Sequence, residues 1–460
     1  MIKPFSIILA LLLVTSCLHA NDQVPGELED FIIGGATIHL ADGETIERGS
    51  IEVRGGVIVA IHEGRFEVAV GDGISIITLK DGHHVYPGMI DSATTIGMVE
   101  IGAVRATRDV AEAGGGDALN PNAQARLTYN VDSELIPTIR ANGVLLTHIH
   151  PTGGLVSGQS AVMQLDGWTY EDATVRPAVG MLVNWPSMLP QTAWWVEESA
   201  EEQMEERDER IGKLEDFFDR AASYKKALDA ATPVADAGEE SDPESATGVA
   251  ASDFDIRYDA LVPVLDGTLP VLITAQEASQ IEAAVAFAKR RGLRMILVGG
   301  AEADVVAELL AENDIPVIIT GVHRLPRGRD ADVDQPGKLA SRLRDAGVTF
   351  AISSSGGRGS SWPMLSRNLP YHAAEAVAHG LTRAEAVAAI TSSPAEILGI
   401  ADTHGTLEVG KSATLFVSTG DILDVRSNVT HAWIDGRRVD LSSKHTELRD
   451  KYRKRLGDAE

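Results

Sequence analysis

Cysteine is almost missing from this chain: its 460 residues hold one, Cys17. No disulfide can form within it, so its stability rests on packing rather than covalent staples. Aromatic residues are also scarce, at 5%, which leaves Ala, Val, Ile and Leu to build the core. Positive charge is short as well. Forty Lys and Arg stand against 67 Asp and Glu, a formal net charge of −27. That balance excludes a surface built to neutralise nucleic-acid phosphates and a basic face for anionic lipid. A well-solvated acidic surface accounts for it. Long apolar runs are missing beyond the N-terminus, so no later segment reads as a transmembrane helix.

The one apolar run is informative. Lys3 precedes "FSIILALLLV", Phe5 to Val14, too short to span a bilayer and of the length of a signal-peptide core. Residues 1–20 therefore read as an export signal, and the protein is expected in the bacterial periplasm or on the outer membrane, tethered only through its start. "VTSC", Val14 to Cys17, resembles the lipobox whose cysteine is acylated; ordinary cleavage after Ala20 in "LHA" competes with it, and the sequence leaves both open.

What is present is a patterned chain, long enough for a barrel of about 250–300 residues plus a satellite domain. From Asp30 come short alternating runs, including Ile51 and Val53, then Val57, Val59 and Ile61, around a Gly55-Gly56 turn, as in a hairpin. A similar pattern returns in "GTLEVGKSATLFVSTG" and "THAWIDGRRV". Strand-rich ends around a long middle suggest a discontinuous β domain, with parts at 28–86 and 403–442. The middle, 87–402, alternates strands ("VYPGMID", "GVLLTHIH", "LPVLITA", "RMILVGG", "IPVIITG", "VTFAISSS") with amphipathic helices ("EASQIEAAVAFAKRRG", "EADVVAELLAEN"), the signature of a parallel α/β architecture. Residues 196–256 break the rhythm: a charged helical stretch with Ile211, Leu214, Phe217, Phe218 and Ala221 on one side, then an acidic, small-residue-rich segment read as disordered. It is either a silent loop insertion or an arm for a partner protein. Residues 443–460 form a charged tail.

Three separated pieces of the chain resemble the amidohydrolase superfamily, specifically its imidazolonepropionase-like branch. They are "GSIEVRGGVIVAIHEG", "YPGMIDSATTIG" and "ITSSPAEILGIADTHGTLEVGKSATLFV". The last follows the family pattern T-x-x-P-A-x-x-L-G…G-x-L-x-x-G-K-x-A-D-L, with Thr414 in place of the Asp. The resemblance spans roughly residues 30 to 440. It implies a (β/α)8 TIM-like barrel with a small discontinuous β-sandwich, and metal-dependent hydrolysis of non-peptide C–N bonds. It also implies a His-x-His pair after the first barrel strand, histidines ending strands five and six, and a carboxylate ending strand eight that binds metal and takes the proton of the attacking water.

This sequence departs at every one of those positions. The two first-strand histidines fall at Ala93 and Thr95, the fifth-strand histidine at Thr274, the sixth at Gly299, and the eighth-strand aspartate at Ser355, with serine also at Ser353 and Ser354. No metal is expected at the usual centre. His148-x-His150, at the end of "GVLLTHIH", is a fresh pair whose imidazoles share one side of a strand. With His323 or Asp91 it is an alternative place for one divalent metal, zinc or manganese; two histidines fall short of the usual three protein ligands, and packing at the barrel mouth is the plainer reading.

Two glycine-rich stretches complete the inventory. "PTGGLVSGQSAVMQLDGW" offers backbone N–H groups for an anion or simply a tight connection, and "SSSGGRGSSW" offers Arg358 as a carboxylate clamp. No Ser-His-Asp set follows from sequence order, and the sequon at Asn428 carries no weight in a bacterial-looking exported chain. The sequence thus points to a catalytically silent or impaired amidohydrolase-like protein that binds a small amide or peptide-like ligand, or stands beside a homologous active subunit. The alternatives are an active enzyme on a cyclic amide or dipeptide-like substrate, using a site around His148 and His150, and a periplasmic binding protein.

Overall fold

The computed structural model describes residues 27–40, 43–64, 73–111, 116–192, 194–231, 254–327, 331–355 and 363–457. Cys17 with the apolar run, Arg358, and the acidic segment 232–253 lie outside them.

The chain opens with β1 (Phe31–His39), β2 (Thr45–Arg54), β3 (Val57–His62), β4 (Ser75–Thr78) and β5 (His84–Pro87). After Gly88 come β6 (Met89–Thr94), α1 (Leu135–Arg140), β7 (Val144–Ile149), β8 (Val156–Gln159) and β9 (Ala161–Gln164). Next are α2 (Tyr170–Ala173), β10 (Thr174–Arg176), β11 (Met181–Asn184), the long α3 (Ala200–Ala231) and α4 (Ile256–Leu265). A regular alternation follows: β12 (Val271–Ala275), α5 (Ala278–Arg291), β13 (Met295–Gly299), α6 (Ala307–Glu312), β14 (Val317–Ile319), α7 (Gln335–Asp345) and β15 (Phe350–Ile352). Helices α8 (Leu369–Ala378), α9 (Arg383–Ala388) and α10 (Ser392–Ile397) lead to β16 (Leu415–Ser418), β17 (Val429–Ile434), β18 (Arg437–Arg438) and α11 (Lys444–Leu456).

These elements form a mixed α/β fold around three sheets. Both chain ends contribute to the first, an eight-stranded sheet ordered β18-β17-β16-β5-β1-β2-β3, with β4 pairing β1. The join is the antiparallel pairing of β16 with β5, and Phe31 stacks on Trp433 at 4.6 Å between ring centres, so residues four hundred positions apart share one core. In the β2–β3 hairpin the structure corrects the pattern read from the sequence. Ile58 is buried opposite Val53, while Val57 and Val59 are exposed, because a register shift at Glu52/Val53 turns the second strand over.

The stretch "VYPGMID" is likewise two strands. β5 belongs to the terminal sheet and β6 to the middle of the chain, and Gly88 makes the crossing. A side chain there would meet Thr414 Cγ2 at 2.9 Å and Leu145 at 3.1 Å.

The middle holds a four-stranded sheet, β10-β9-β7-β6, and a six-stranded sheet, β15-β14-β13-β12-β11-β8. In the latter, β11 to β15 run parallel. Their strands share one apolar cluster: Ile90, Leu146 and Val162 from the first sheet, Leu182, Leu272 and Ile318 from the second. Helix α5 shows why the alternation folds as it does. Ile281, Ala284, Val285 and Ala288 make its buried stripe, and Gly292, at φ 65°, ends it in the left-handed conformation before β13. The helix expected over "EADVVAELLAEN" is shorter, because residues 301–306 are spent in turns after Gly299 and Gly300. Helix α3 is not a loose appendage. Leu214, Phe217, Phe218 and Ala221 are buried, with Phe218 edge-on to Phe287 of α5 at 5.2 Å.

Candidate functional site

The ends of β6, β7 and β15 meet around Asp91. These strands bring polar side chains together: β6 and β7 run parallel with Asp91 opposite Thr147, between two register shifts, while β15 lies at the edge of the other sheet. Asp91 is fully buried. The Ser353 hydroxyl donates to its Oδ1 at 2.7 Å, the Ser354 amide reaches the same oxygen at 3.1 Å, and the Ser354 hydroxyl contacts Oδ2. Ser366 stands behind Ser354 at 3.1 Å. Burial pushes the Asp91 carboxyl above its ordinary range, against the hydrogen bonds of these serines. The Ser353 hydroxyl proton has a second acceptor in the Ala93 carbonyl at 2.9 Å.

Of the five positions assigned to metal ligands, two touch this network, Ala93 through its carbonyl and Ser355 through its amide, both on Ser353. Ala93 and Thr95 are buried, Thr274 and Ser355 are partly buried, and Ser355 sits at the edge of the described segment. Gly299 is the most telling. Its φ is 109°, and a Cβ built there would run into the Gln276 side chain and approach the Ala275 carbonyl to 2.9 Å. Gln276 thus stands where a side chain at that position would begin. As a donor set, Ala, Gly, two Thr and Ser do not fit a hydrolytic metal centre, which needs imidazole and carboxylate ligands.

His148 and His150 do stand together, with ring centres 6.0 Å apart and planes at 49°. His148 is fully buried, and its Nδ1 lies 2.6 Å from the Ser92 carbonyl; His150 Nδ1 lies 3.1 Å from the Pro151 carbonyl. A carbonyl only accepts, so each Nδ1 carries the proton and each Nε2 presents a lone pair. Burial, then the neighbouring His150, holds His148 down to about 3; burial also lowers His150. Both are neutral imidazoles at ordinary pH.

His323 goes elsewhere: it stacks on His372 of α8 at 4.3 Å, and burial followed by His323 lowers His372 to about 4. Asp91 faces serines. Among the described residues no three His, Cys, Asp or Glu gather into a metal-holding group.

The glycine loop before β8 is a connection. The amides of Leu155 and Val156 donate to the Ala118 carbonyl at 2.8 and 3.2 Å, and the Ser157 hydroxyl donates to Gly153 O at 2.6 Å. Sequence reading missed Ser92, Gln276 and His372. It named the serine run after β15 but put weight on Ser355, whereas Ser353 and Ser354 make the contacts. Ser92 adjoins Ala93 and Gln276 follows Thr274 by two positions, which was their only signal in the sequence.

Comparison with known proteins bears on the fold and on part of the sequence. The sequence model of the Amidohydrolase family matches residues 342–440. An imidazolonepropionase of Verminephrobacter eiseniae is 32% identical over 145 residues, covering 32% of this chain and 30% of that protein. One of Rhizobium rhizogenes is 45% identical over 75 residues, 16% of this chain and 18% of that protein. The chain therefore matches less than a third of the length of these relatives. The crystal structure of an amidohydrolase from Thermotoga maritima shares the fold, with a TM-score of 0.73 at 23% identity over 89% of this chain and 99% of that one. The likeness to the Amidohydrolase family is thus carried in sequence by residues 342–440, and the fold is that of the Thermotoga maritima amidohydrolase. Over those partial lengths, the curated relatives it matches are imidazolonepropionases.

Proposed function

We propose that this protein uses a (β/α)8-like barrel, flanked by a β-sandwich built from both chain ends, as a binding scaffold, and that it has given up the superfamily's metal-assisted hydrolysis. The observation that carries this reading is Gly299, where backbone conformation and the Gln276 side chain leave no room for a ligand side chain. Ala93, Thr95, Thr274 and Ser355 support it, because none can supply the imidazole or carboxylate that hydrolysis needs. The ligand on this reading is a small amide or peptide-like molecule.

On this reading residues 1–20 are an export signal, with acylation at Cys17 or cleavage after Ala20, and the periplasm or the outer membrane is the proposed location. Trp194 and Trp195, 91% and 64% exposed beside the acidic start of α3, favour a partner, for which a homologous active subunit is our choice. The competing reading keeps hydrolysis of a cyclic amide or dipeptide-like substrate at His148 and His150, with zinc or manganese.

Elemental mass spectrometry of the mature, tag-free protein equilibrated with zinc and manganese separates the two. We expect no stoichiometric metal and no hydrolysis of cyclic amides or dipeptides. Stoichiometric metal lost in His148→Ala and His150→Ala, together with turnover, would sink the binding-scaffold reading.

A further inference from the structure

Apart from the site around Asp91, we infer that His39 and His84 form an acid-sensitive latch where the terminal sheet meets α9. His39 ends β1 and His84 begins β5. Their rings share a hydrogen bond, with 2.8 Å between Nε2 of His39 and Nδ1 of His84. Such a bond needs a lone pair on one of the two nitrogens, and two protonated rings have none. Backbone pairing of β1 with β5 covers Thr37 opposite His84 and Ile38 opposite Val85, and stops there. The side-chain bond therefore carries the join one residue further, to His39.

What lies beyond that residue touches α9. Gly43, at φ 82°, packs so closely that a Cβ there would meet Ala384 Cβ at 2.6 Å. Both histidines line a cavity of about 250 Å3, with Tyr86 of β5 on their side and Arg383, Ala384 and Val387 of α9 on the other. Arg383 also pairs with Asp421, which follows β16. Arg383 is exposed, so this ion pair by itself holds the joint weakly. His39 is stacked on the buried Tyr86 ring, 3.9 Å between centres and 14° between planes. Turning it away from His84 gives up that contact, so a second charge is relieved by parting the elements rather than by rotating one ring.

The groups bearing on the pair are Asp421, Arg383, His83 and the Tyr86 phenol. Burial, then His84, holds His39 down to about 4, against the pull of Asp421. Burial lowers His84 too, with Asp421 opposing and His83 assisting. Burial, then Asp421, pushes the Tyr86 phenol up, so it stays uncharged. Asp421 is already engaged by Arg383 and does not neutralise two imidazolium rings with centres 5.1 Å apart. The closed joint thus holds neutral rings, while an open joint lets them protonate near the ordinary value of about 6.5. Opening takes up protons, and falling pH favours it.

Hydrogen–deuterium exchange of the full chain, read by mass spectrometry and corrected for intrinsic exchange, tests the latch. A group titrating at about 4 when closed and about 6.5 when open makes opening about five- to tenfold more frequent at about pH 5 than at about pH 6. We expect peptides from the end of β1 and from α9 to exchange faster by that factor, while peptides from β12 and α5, which report on the whole fold, keep their rates. His39→Gln with His84→Gln, whose amides pair at any pH, should abolish the response. Equal rates for β1 and α9 at both pH values, an acceleration shared by β12 and α5, or a double variant that still responds would each overturn the inference. If the double variant does not fold, 15N spectra of the two wild-type rings decide. Depressed, mutually linked titrations support the latch, and two independent ones near about 6.5 overturn it.

Discussion

Ser353 donates its hydroxyl to Asp91 Oδ1 at 2.7 Å, across 262 positions of sequence, and fastens the edge strand of one central sheet to the edge strand of the other. A buried carboxyl held by serines rather than by a cation has two measurable consequences.

The first concerns its donors. Ser353→Ala and Ser354→Ala each leave a buried oxygen of Asp91 short of a partner, at about 1–3 kcal/mol of folding stability apiece. The two share one acceptor group, so the double variant should lose less than the sum. Urea unfolding of the three variants checks both statements.

The second concerns pH. Burial raises the Asp91 carboxyl, so the folded protein keeps a proton that the unfolded chain releases near pH 4. Wherever the folded state binds more protons, stability falls as pH rises. Asp91→Asn should therefore flatten the decline of stability from about pH 4 upwards, up to the folded value. A wild type and variant with parallel pH–stability curves would refute a protonated Asp91.

Buried histidines produce the opposite limb. His148 and His372 are held down to about 3 and about 4 by burial. The unfolded chain protonates its histidines from about pH 6.5 downwards. Below that value it binds more protons than the folded state, and stability is lost as pH falls. Each group contributes up to about 1.4 kcal/mol per pH unit. His148→Gln and His372→Gln should each reduce the slope of thermal midpoint against pH between about 4 and 6.5, without removing the Asp91 effect.

Gly299 is expected to refuse any side chain. With φ at 109° and Gln276 in the way, Gly299→Ala should cost about 1–3 kcal/mol from backbone strain alone, plus the displacement of Gln276. Gln276→Ala in the same chain should recover the second part and not the first. On the proposed mapping, histidine at Ala93, Thr95 and Thr274 should consequently still leave a metal without the ligand that falls at Gly299. Zinc retention after dialysis, measured for that triple variant, reports on it.

Helix α3 looks dispensable from its charge and is not. Phe218 is fully buried against Phe287, so Phe218→Ala should cost about 3–5 kcal/mol. Trp194→Ala with Trp195→Ala, both exposed, should cost less than about 0.5 kcal/mol. Comparing the two by thermal unfolding separates the part of this region that packs from the part left for a partner.

Local pattern carried the strand–helix alternation from β12 to β15, the glycine that ends α5, and the buried side of α3. Each depends on residues a few positions apart, whose periodicity survives in one dimension. The hairpin face at Ile58 was not legible, since a single register shift inverts every side chain beyond it. The splitting of "VYPGMID" into β5 and β6 was not legible either, because an unbroken apolar run does not say which sheet each half joins. The closed contacts at Gly88 and Gly299 are made by residues distant in sequence.

By itself, then, the amino-acid sequence determined the composition of the site. Ala93, Thr95, Thr274, Gly299 and Ser355 are the positions at which the family resemblance leads one to expect ligands, and side-chain chemistry alone says what they cannot do. Tertiary structure decided which side chains meet: Ser353 and Ser354 on Asp91, Gln276 against Gly299, His323 on His372, and His148 beside His150. A proton's location on an imidazole, or the room for one Cβ, is set by distances between strands far apart in the chain, and no local pattern encodes those distances.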